Sequence, residues 1–252
     1  MFDQYASYYD VLYADKDYIK EAAYVHELVQ RDCPRAKQIL EFGCGTGKHA
    51  LALAELGYVI HGIDYSQDML EIARRNVHKN NKHDHISLSH ADVRTVDLKT
   101  TFDVVLSLFH VISYQTTNED LYRAFMSAHK HLRSGGLFVF DCWYGPGVVA
   151  EGFGPRVKQC ENETIKIMRV SQPHVFPNDN RVDVHFTMYV HDKKTGSIAA
   201  FEETHPMRYL FKPEIEFLCK QTGFSLIATE EWLTGKNPEQ TTWNVCFVGR
   251  KL

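Results

Sequence analysis

Residues 38–49 read QILEFGCGTGKH, an apolar strand that closes on an acid and runs straight into a Gly-x-Gly-x-Gly turn. Gly43, Gly45 and Gly47 have no Cβ, so the chain can turn through positive φ there and a ligand can lie against the backbone. The next residues, HALALAEL at 49–56, have helical periodicity and aim their first N–H groups at the same spot. Dinucleotide-binding loops use such a junction to hold pyrophosphate, with the spacing G-x-G-x-x-G. Here the third glycine of that pattern falls on Lys48. Glu41 stands just before the glycines, where a carboxylate repels pyrophosphate and suits an ammonium or a sulfonium. The junction therefore favours a cationic cofactor over a dinucleotide.

The next units repeat the pattern of strand then acid. Gly57 ends the helix, and YVIHGID at 58–64 is a second strand closing on Asp64. Asp64 lies about 20 residues beyond the glycines, where a carboxylate takes ribose hydroxyls. Ser66 then caps a helix that carries Asp68 and Glu71 near its positive end. A third strand, ISLSHAD at 86–92, closes on Asp92. Ligands of a doubly wound sheet lie outside the carboxyl ends of its strands, so these acids form a row of acceptors there. S-adenosylmethionine is a cofactor of the kind they suit.

A chain of 252 residues can bury a large core, as one big domain or two small ones. The net charge of −4 and pI near 6.4 argue against a general nucleic-acid binder, and no basic run appears. Six cysteines are scattered without a C-x-x-C pair, which disfavours a disulfide framework or a zinc site and favours a reducing, cytoplasmic setting. The first ten residues lack the basic and apolar regions of a signal peptide. No stretch approaches the ~20 apolar residues of a membrane span. The run HKNNKHDH at 78–85 reads as a solvated loop rather than a metal site, because no cysteine or carboxylate set accompanies its histidines.

Residues 1–35 read as a helical cap rich in tyrosine, suited to lying over a cofactor and excluding water. Strand and helix alternate from 36 to 143, which predicts an α/β fold with a parallel sheet. Asn118 is the expected cap of a crossover helix over 118–132. Beyond a glycine-proline loop, YGPGVVAEGFGP, residues 144–210 read as an inserted antiparallel sheet over the active site. In RVDVHFTMYVH at 181–191, Val182, Val184, Phe186, Met188 and Val190 share one face, and His185 and Tyr189 lie on the other. That polar face is either solvated surface or a pocket lining. DKKTG is a hairpin turn, and residues 211–252 return to the main domain with a helix and two strands.

This pattern resembles the class I S-adenosylmethionine-dependent methyltransferases, by motif over residues 36–142. The resemblance implies a doubly wound, seven-stranded, mostly parallel Rossmann-like sheet whose last strand is antiparallel. It also implies that Gly43, Cys44 and Gly45 face the methionine part of the cofactor, with Glu41 behind them. Asp64 would hold the ribose, Tyr65 and Met69 would lie near the adenine, and Asp92 would hold its amino group with Val93 beside it. Tyr13, Tyr18 and Leu108 complete the expected cofactor site. More finely, YYDVLY, LFHVISY, WYGP and the closing FVG look like the aminodeoxysugar N-methyltransferases. Trp143, Tyr144, His185 and Arg208 are then the expected substrate residues, and Tyr13, His110 and Tyr114 the expected catalytic ones. His110 follows the fourth strand and is either a general base or a histidine satisfied by a backbone carbonyl. The chain departs from that group twice. Tyr114 stands where members carry a candidate catalytic histidine, and Asn244 where they carry a phosphate-binding arginine. Either the substrate lacks that nucleotide, or Arg156, Arg208 or Lys236 replaces the contact. The expected acceptor is the amine of a sugar nucleotide. A small amine of the glycine or sarcosine type, a hydroxyl of a polysaccharide precursor, and a non-catalytic regulatory role are the rivals. A homodimer pairing through the insert's strand edges is a further expectation.

Overall fold

The computed structural model describes residues 3–252, with side chains from Tyr5 onward. Helices α1 (Asp3–Leu12) and α2 (Tyr18–Asp32) open the chain. Then β1 (Gln38–Phe42), α3 (Lys48–Glu55), β2 (Val59–Asp64), α4 (Gln67–Lys79), β3 (Ile86–His90), β4 (Phe102–Ser107), α5 (Asn118–His131) and β5 (Leu132–Tyr144) alternate as expected. The chain continues through α6 (Gly145–Glu151), β6 (Arg156–Glu161), β7 (Ile165–Phe176), β8 (Arg181–Asp192) and β9 (Ile198–Leu210). It ends with α7 (Lys212–Gln221), β10 (Phe224–Glu231) and β11 (Asn244–Lys251).

The main sheet runs β3-β2-β1-β4-β5-β11-β10. Its first five strands are parallel, and β11 is antiparallel to both β5 and β10. Strand alternation gives the sheet two apolar faces. Leu40, Phe42, Phe138 and Phe140 meet Phe125 of α5 and Ile215 of α7 on one side. Ile39, Ile60, Leu106 and Val139 meet Val25 of α2 and Leu53 of α3 on the other. Each fully buried aliphatic or aromatic side chain here contributes about 1.5–3 kcal/mol.

The insert is a four-stranded antiparallel meander, β6-β7-β8-β9. It is tied to the main sheet by β9, which runs parallel to the last residues of β5 through Trp143↔Tyr209 and Tyr144↔Leu210. β4 stops pairing with β5 at Phe140, and β9 takes the edge it leaves. The N-terminal helix packs on this insert: Tyr5 and Leu12 bury against Ile167, Met188 and Val190.

Two local expectations change. Thr117, not Asn118, caps α5, its hydroxyl accepting from Asp120 N at 3.0 Å. Part of the expected glycine-proline loop is the helix α6, with Pro146 in its first turn, where a missing N–H costs nothing.

Candidate active site

The carboxyl ends of β1, β2 and β3 and the loop after β4 line one wall of a cavity of about 670 Å³, and α1 with the insert lines the other. On the first wall the glycine loop does its work through backbone. Gly43 and Gly45 have φ of +65° and +54°, left-handed values that cost an L-residue about 1–2 kcal/mol. A Cβ on Gly43 would stand 2.4 Å from Val111 Cγ2, so this loop and the one after β4 interlock. A Cβ on Gly45 would meet no protein atom and would take up cavity space instead.

Asp64 pins the loop. Its Oδ2 accepts from Gly45 N and its Oδ1 from Ser66 N, both at 2.8 Å. Burial pushes its carboxyl up, and those backbone N–H groups oppose the shift. Ser66 also caps α4, accepting from Met69 N at 3.2 Å. Tyr65, Met69 and Val93 flank a slot that opens to solvent at Tyr65, which is 70% exposed. Asp92 lines the slot too, but Arg94 binds both of its oxygens, at 2.9 and 2.6 Å, and holds its carboxyl below the usual range. An adenine amine there must share the carboxylate with Arg94. This set fits S-adenosylmethionine: a bare backbone cradle, an immobilised carboxylate for hydroxyl pairs and an aromatic surround.

The loop after β4 brings two of the expected catalytic residues, His110 and Tyr114, to the cavity. Phe109 and His110 both have left-handed φ, 61° and 66°, which non-glycine residues adopt only when their surroundings compel them. His110 N donates to Asp141 Oδ1 at 3.1 Å, and Ser113 N donates to His110 O at 2.9 Å. His110 Nδ1 lies 2.9 Å from Asp141 Oδ2, out of line for a straight hydrogen bond. Asp141 is only 1% exposed, so the carboxylate sits behind the imidazole and Nε2 is the ring nitrogen left for the cavity. Phe109 meets Tyr13 edge-on at 5.0 Å. Beside Tyr18, His49 lines the cavity with Nε2 2.6 Å from Glu21 Oε2.

On the opposite wall, Arg169 of β7 donates to Tyr5 OH at 2.8 Å and to Tyr13 OH at 3.1 Å. Tyr114 OH and His205 Nδ1 are 2.8 Å apart. Burial pushes the Tyr5, Tyr9 and Tyr114 hydroxyls well above 10.0. Burial, with the Arg169 charge adding to it, pushes His205 down to about 3. Trp143, Phe153, Trp243 and Arg156 form the mouth.

Of the residues expected from sequence, Tyr13, Tyr18, Gly43, Cys44, Gly45, Asp64, Tyr65, Met69, Asp92, Val93, Leu108, His110, Tyr114 and Trp143 line this cavity. Four do not. Glu41 is buried below its surface, with Oε1 3.9 Å from His49 Nδ1. Tyr144 caps α6 outside it. Arg208 is held by Asn118 and Glu214 and has no free reach. His185 points away, to Thr204 Oγ1 at 3.0 Å, because the cavity faces the other side of β8, the side of Val184 and Phe186. Arg156 does reach the cavity, whereas Lys236 does not.

Tyr5 and Tyr9 belong to the tyrosine-rich segment read as a cap over the cofactor, whereas Asp141, Arg169 and His205 were not singled out from sequence. Of those three, Asp141 had a readable signal, since it follows the apolar run LFVF at 137–140.

A methyltransferase-domain family model matches residues 39–136. The dTDP-3-amino-3,4,6-trideoxy-alpha-D-glucopyranose N,N-dimethyltransferase of Streptomyces venezuelae is 31% identical over 92% of each chain. The crystal structure of Streptomyces venezuelae DesVI superposes with a TM-score of 0.82 at 26% identity, covering 98% of both chains. The S-adenosylmethionine-bound structure of CalS10, an amino pentose methyltransferase from Micromonospora echinaspora, gives 0.77 at 25% identity over 100% of this chain and 98% of the other. The fold and the cavity thus define an S-adenosylmethionine-dependent methyltransferase. The chain belongs to the sugar N-methyltransferase family that these relatives represent.

Proposed function

We propose that this methyltransferase acts on the amino group of a nucleotide-linked aminodeoxysugar, as the relative from Streptomyces venezuelae does by its name. The observation that carries the reading is the continuity of the cavity. It runs from the cofactor wall past His110 to the aromatic mouth of Trp143, Phe153 and Trp243. A sugar fills the middle of such a space and a nucleotide base the mouth, whereas a free amino acid leaves the mouth empty.

When bound, S-adenosylmethionine supplies a methyl already activated on a positive sulfur. What the protein contributes is alignment and a proton acceptor. Holding donor and nucleophile in line contributes several kcal/mol, up to about 7–11 in the best intramolecular cases. An amine that arrives as an ammonium must first lose a proton, and His110 Nε2 takes it. Asp141 orients the imidazole and stabilises the cation that forms. His205 is the poorer proton acceptor, because burial, with the Arg169 charge adding to it, pushes its imidazole down to about 3. Tyr114, fixed to His205, and Tyr13, fixed to Arg169, position the amine. Helix α1 and strands β6–β9 act as the lid over the acceptor.

The reading also holds a cytoplasmic setting, in keeping with six free cysteines. No helix among the described residues is long and apolar enough to cross a membrane. The open edge of β6 is the place for a second copy to pair, and a monomer mass by light scattering removes that part. The central test is a mass-detected transfer assay with S-adenosylmethionine and a panel of dTDP- and UDP-linked amino sugars, glycine and sarcosine. A gain of one or two methyls on a nucleotide sugar is expected. Gain only on a free amino acid sinks the sugar reading.

A further inference from the structure

The cationic side chains of Lys48, Arg94, Arg156 and Arg169 line the cavity. The first three already have acids. Lys48 Nζ lies 3.5 Å from Asp10, Arg94 binds Asp92 and Asp120, and Arg156 Nη2 lies 2.9 Å from Glu151. Arg169 has no carboxylate at ion-pair distance among the described residues. Its Nη1 contacts are the hydroxyls of Tyr5 and Tyr13, and its guanidinium lies 4.6 Å from the centre of the Phe186 ring. Burial keeps Tyr5 protonated, so that hydroxyl supplies no countercharge. Nε is buried without an acceptor, and Nη2 has no acceptor among the described residues. Glu203, on the same face of the insert, sits with His205 Nε2 at 3.6 Å.

A guanidinium removed from water without an anion is costly, and the arrival of an oxyanion relieves that cost. Its planar fork matches phosphate and carboxylate oxygens. Its place in the cavity is specific. Tyr13, which Arg169 holds, touches Phe109, and Phe109 adjoins His110. An anion at Arg169 therefore belongs to a molecule whose other end reaches the reacting zone.

We propose that Arg169 is the anion-binding residue for the methyl acceptor, receiving a phosphate or carboxylate that the acceptor carries. This rests on the reading that the cavity holds the acceptor.

The test is calorimetric titration of protein loaded with S-adenosylhomocysteine, comparing wild type, Arg169→Met and Arg169→Lys. The ligands are a dTDP-linked amino sugar, the same amino sugar 1-phosphate, glycine, and the uncharged methyl glycoside of that amino sugar. Arg169→Met is expected to weaken an anionic ligand by roughly tenfold or more. The uncharged glycoside and S-adenosylhomocysteine keep their affinities, and Arg169→Lys recovers part of the loss. Equal loss on both phosphorylated ligands assigns the sugar-linked phosphate. Loss confined to glycine assigns a carboxylate, keeps the Arg169 proposal and overturns the nucleotide-sugar reading. Equal loss on charged and uncharged ligands means that Arg169 only holds Tyr5 and Tyr13, and the proposal falls. It also falls if no anionic ligand weakens, or if wild type binds none of them. Should Arg169→Met fail to fold, the charged-to-uncharged affinity ratio in Arg169→Lys decides in the same way.

Discussion

On the cofactor wall, Gly43, Gly45 and Asp64 come from one strand-helix-strand unit, and their contacts are largely backbone. On the wall proposed for the acceptor, Tyr5, Tyr114, Arg169 and His205 come from α1, the loop after β4, β7 and β9, and their contacts run from side chain to side chain. The first wall needs the absence of atoms. The second needs particular atoms brought together from distant parts of the chain. The cofactor wall is therefore sensitive to added bulk and the acceptor wall to lost polar groups. His110 and Asp141 stand at the junction, with strained backbone held by a buried acid.

The junction gives the largest expected effect. His110→Gln is expected to lower kcat by about a hundredfold at neutral pH, the low end for a general base. Cofactor affinity stays unchanged, and the deficit closes as pH rises to where the amine loses its proton unaided. A pH–rate profile reads this, and a constant deficit across pH removes the base role. Gly43→Ala tests whether the cofactor wall is set by missing bulk. Left-handed backbone and overpacking against Val111 together cost about 2–5 kcal/mol, and the loop shift that relieves them is expected to lower S-adenosylmethionine affinity roughly tenfold or more. Calorimetry showing wild-type affinity would break the comparison.

A smaller effect concerns Glu41. Burial, with the Asp64 charge adding to it, lifts this carboxyl from 4.5 to about 8. A carboxyl raised by folding contributes stability below its unfolded pKa and loses it as pH climbs through the folded value. Between about pH 5 and 8, cofactor-free wild type should therefore lose stability relative to Glu41→Gln. Thermal melts across that window check it, and a gap that does not widen with pH refutes it. The smallest effect is expected at His185→Ala, which keeps kcat/KM within about twofold because the side chain lies outside the cavity. A large loss there would move the acceptor to the other face of the insert.

That last pair of faces shows where sequence reasoning stopped. The alternation in β8 was read correctly: Val182, Met188 and Val190 are buried on one side. The side that lines the cavity is nonetheless the apolar one, and its histidine comes from β9. His205 pairs with Val184, and His185 with Thr204, so a shift of one residue separates the two histidines by a whole sheet face. Arg208 shows the same limit, since a cation in the right strand is consumed by Glu214 and Asn118. Glu41 was placed correctly at its strand tip, yet its carboxylate is buried against His49 rather than at the cavity surface.

The sequence by itself determined the order of the elements, the parallel sheet, the antiparallel insert and the glycines and acids that meet on one wall of the cavity. Those depend on short-range facts: apolar period, caps, missing Cβ atoms and acids at strand ends. Only the tertiary structure decided which polar side chains meet across the cavity. Arg169, Tyr5, Tyr114 and His205 are far apart in the chain, and their meeting depends on register and on how β9 leaves the edge of β5. No local pattern encodes such a meeting, because a side chain's partner across a cavity is set by the packing of whole elements.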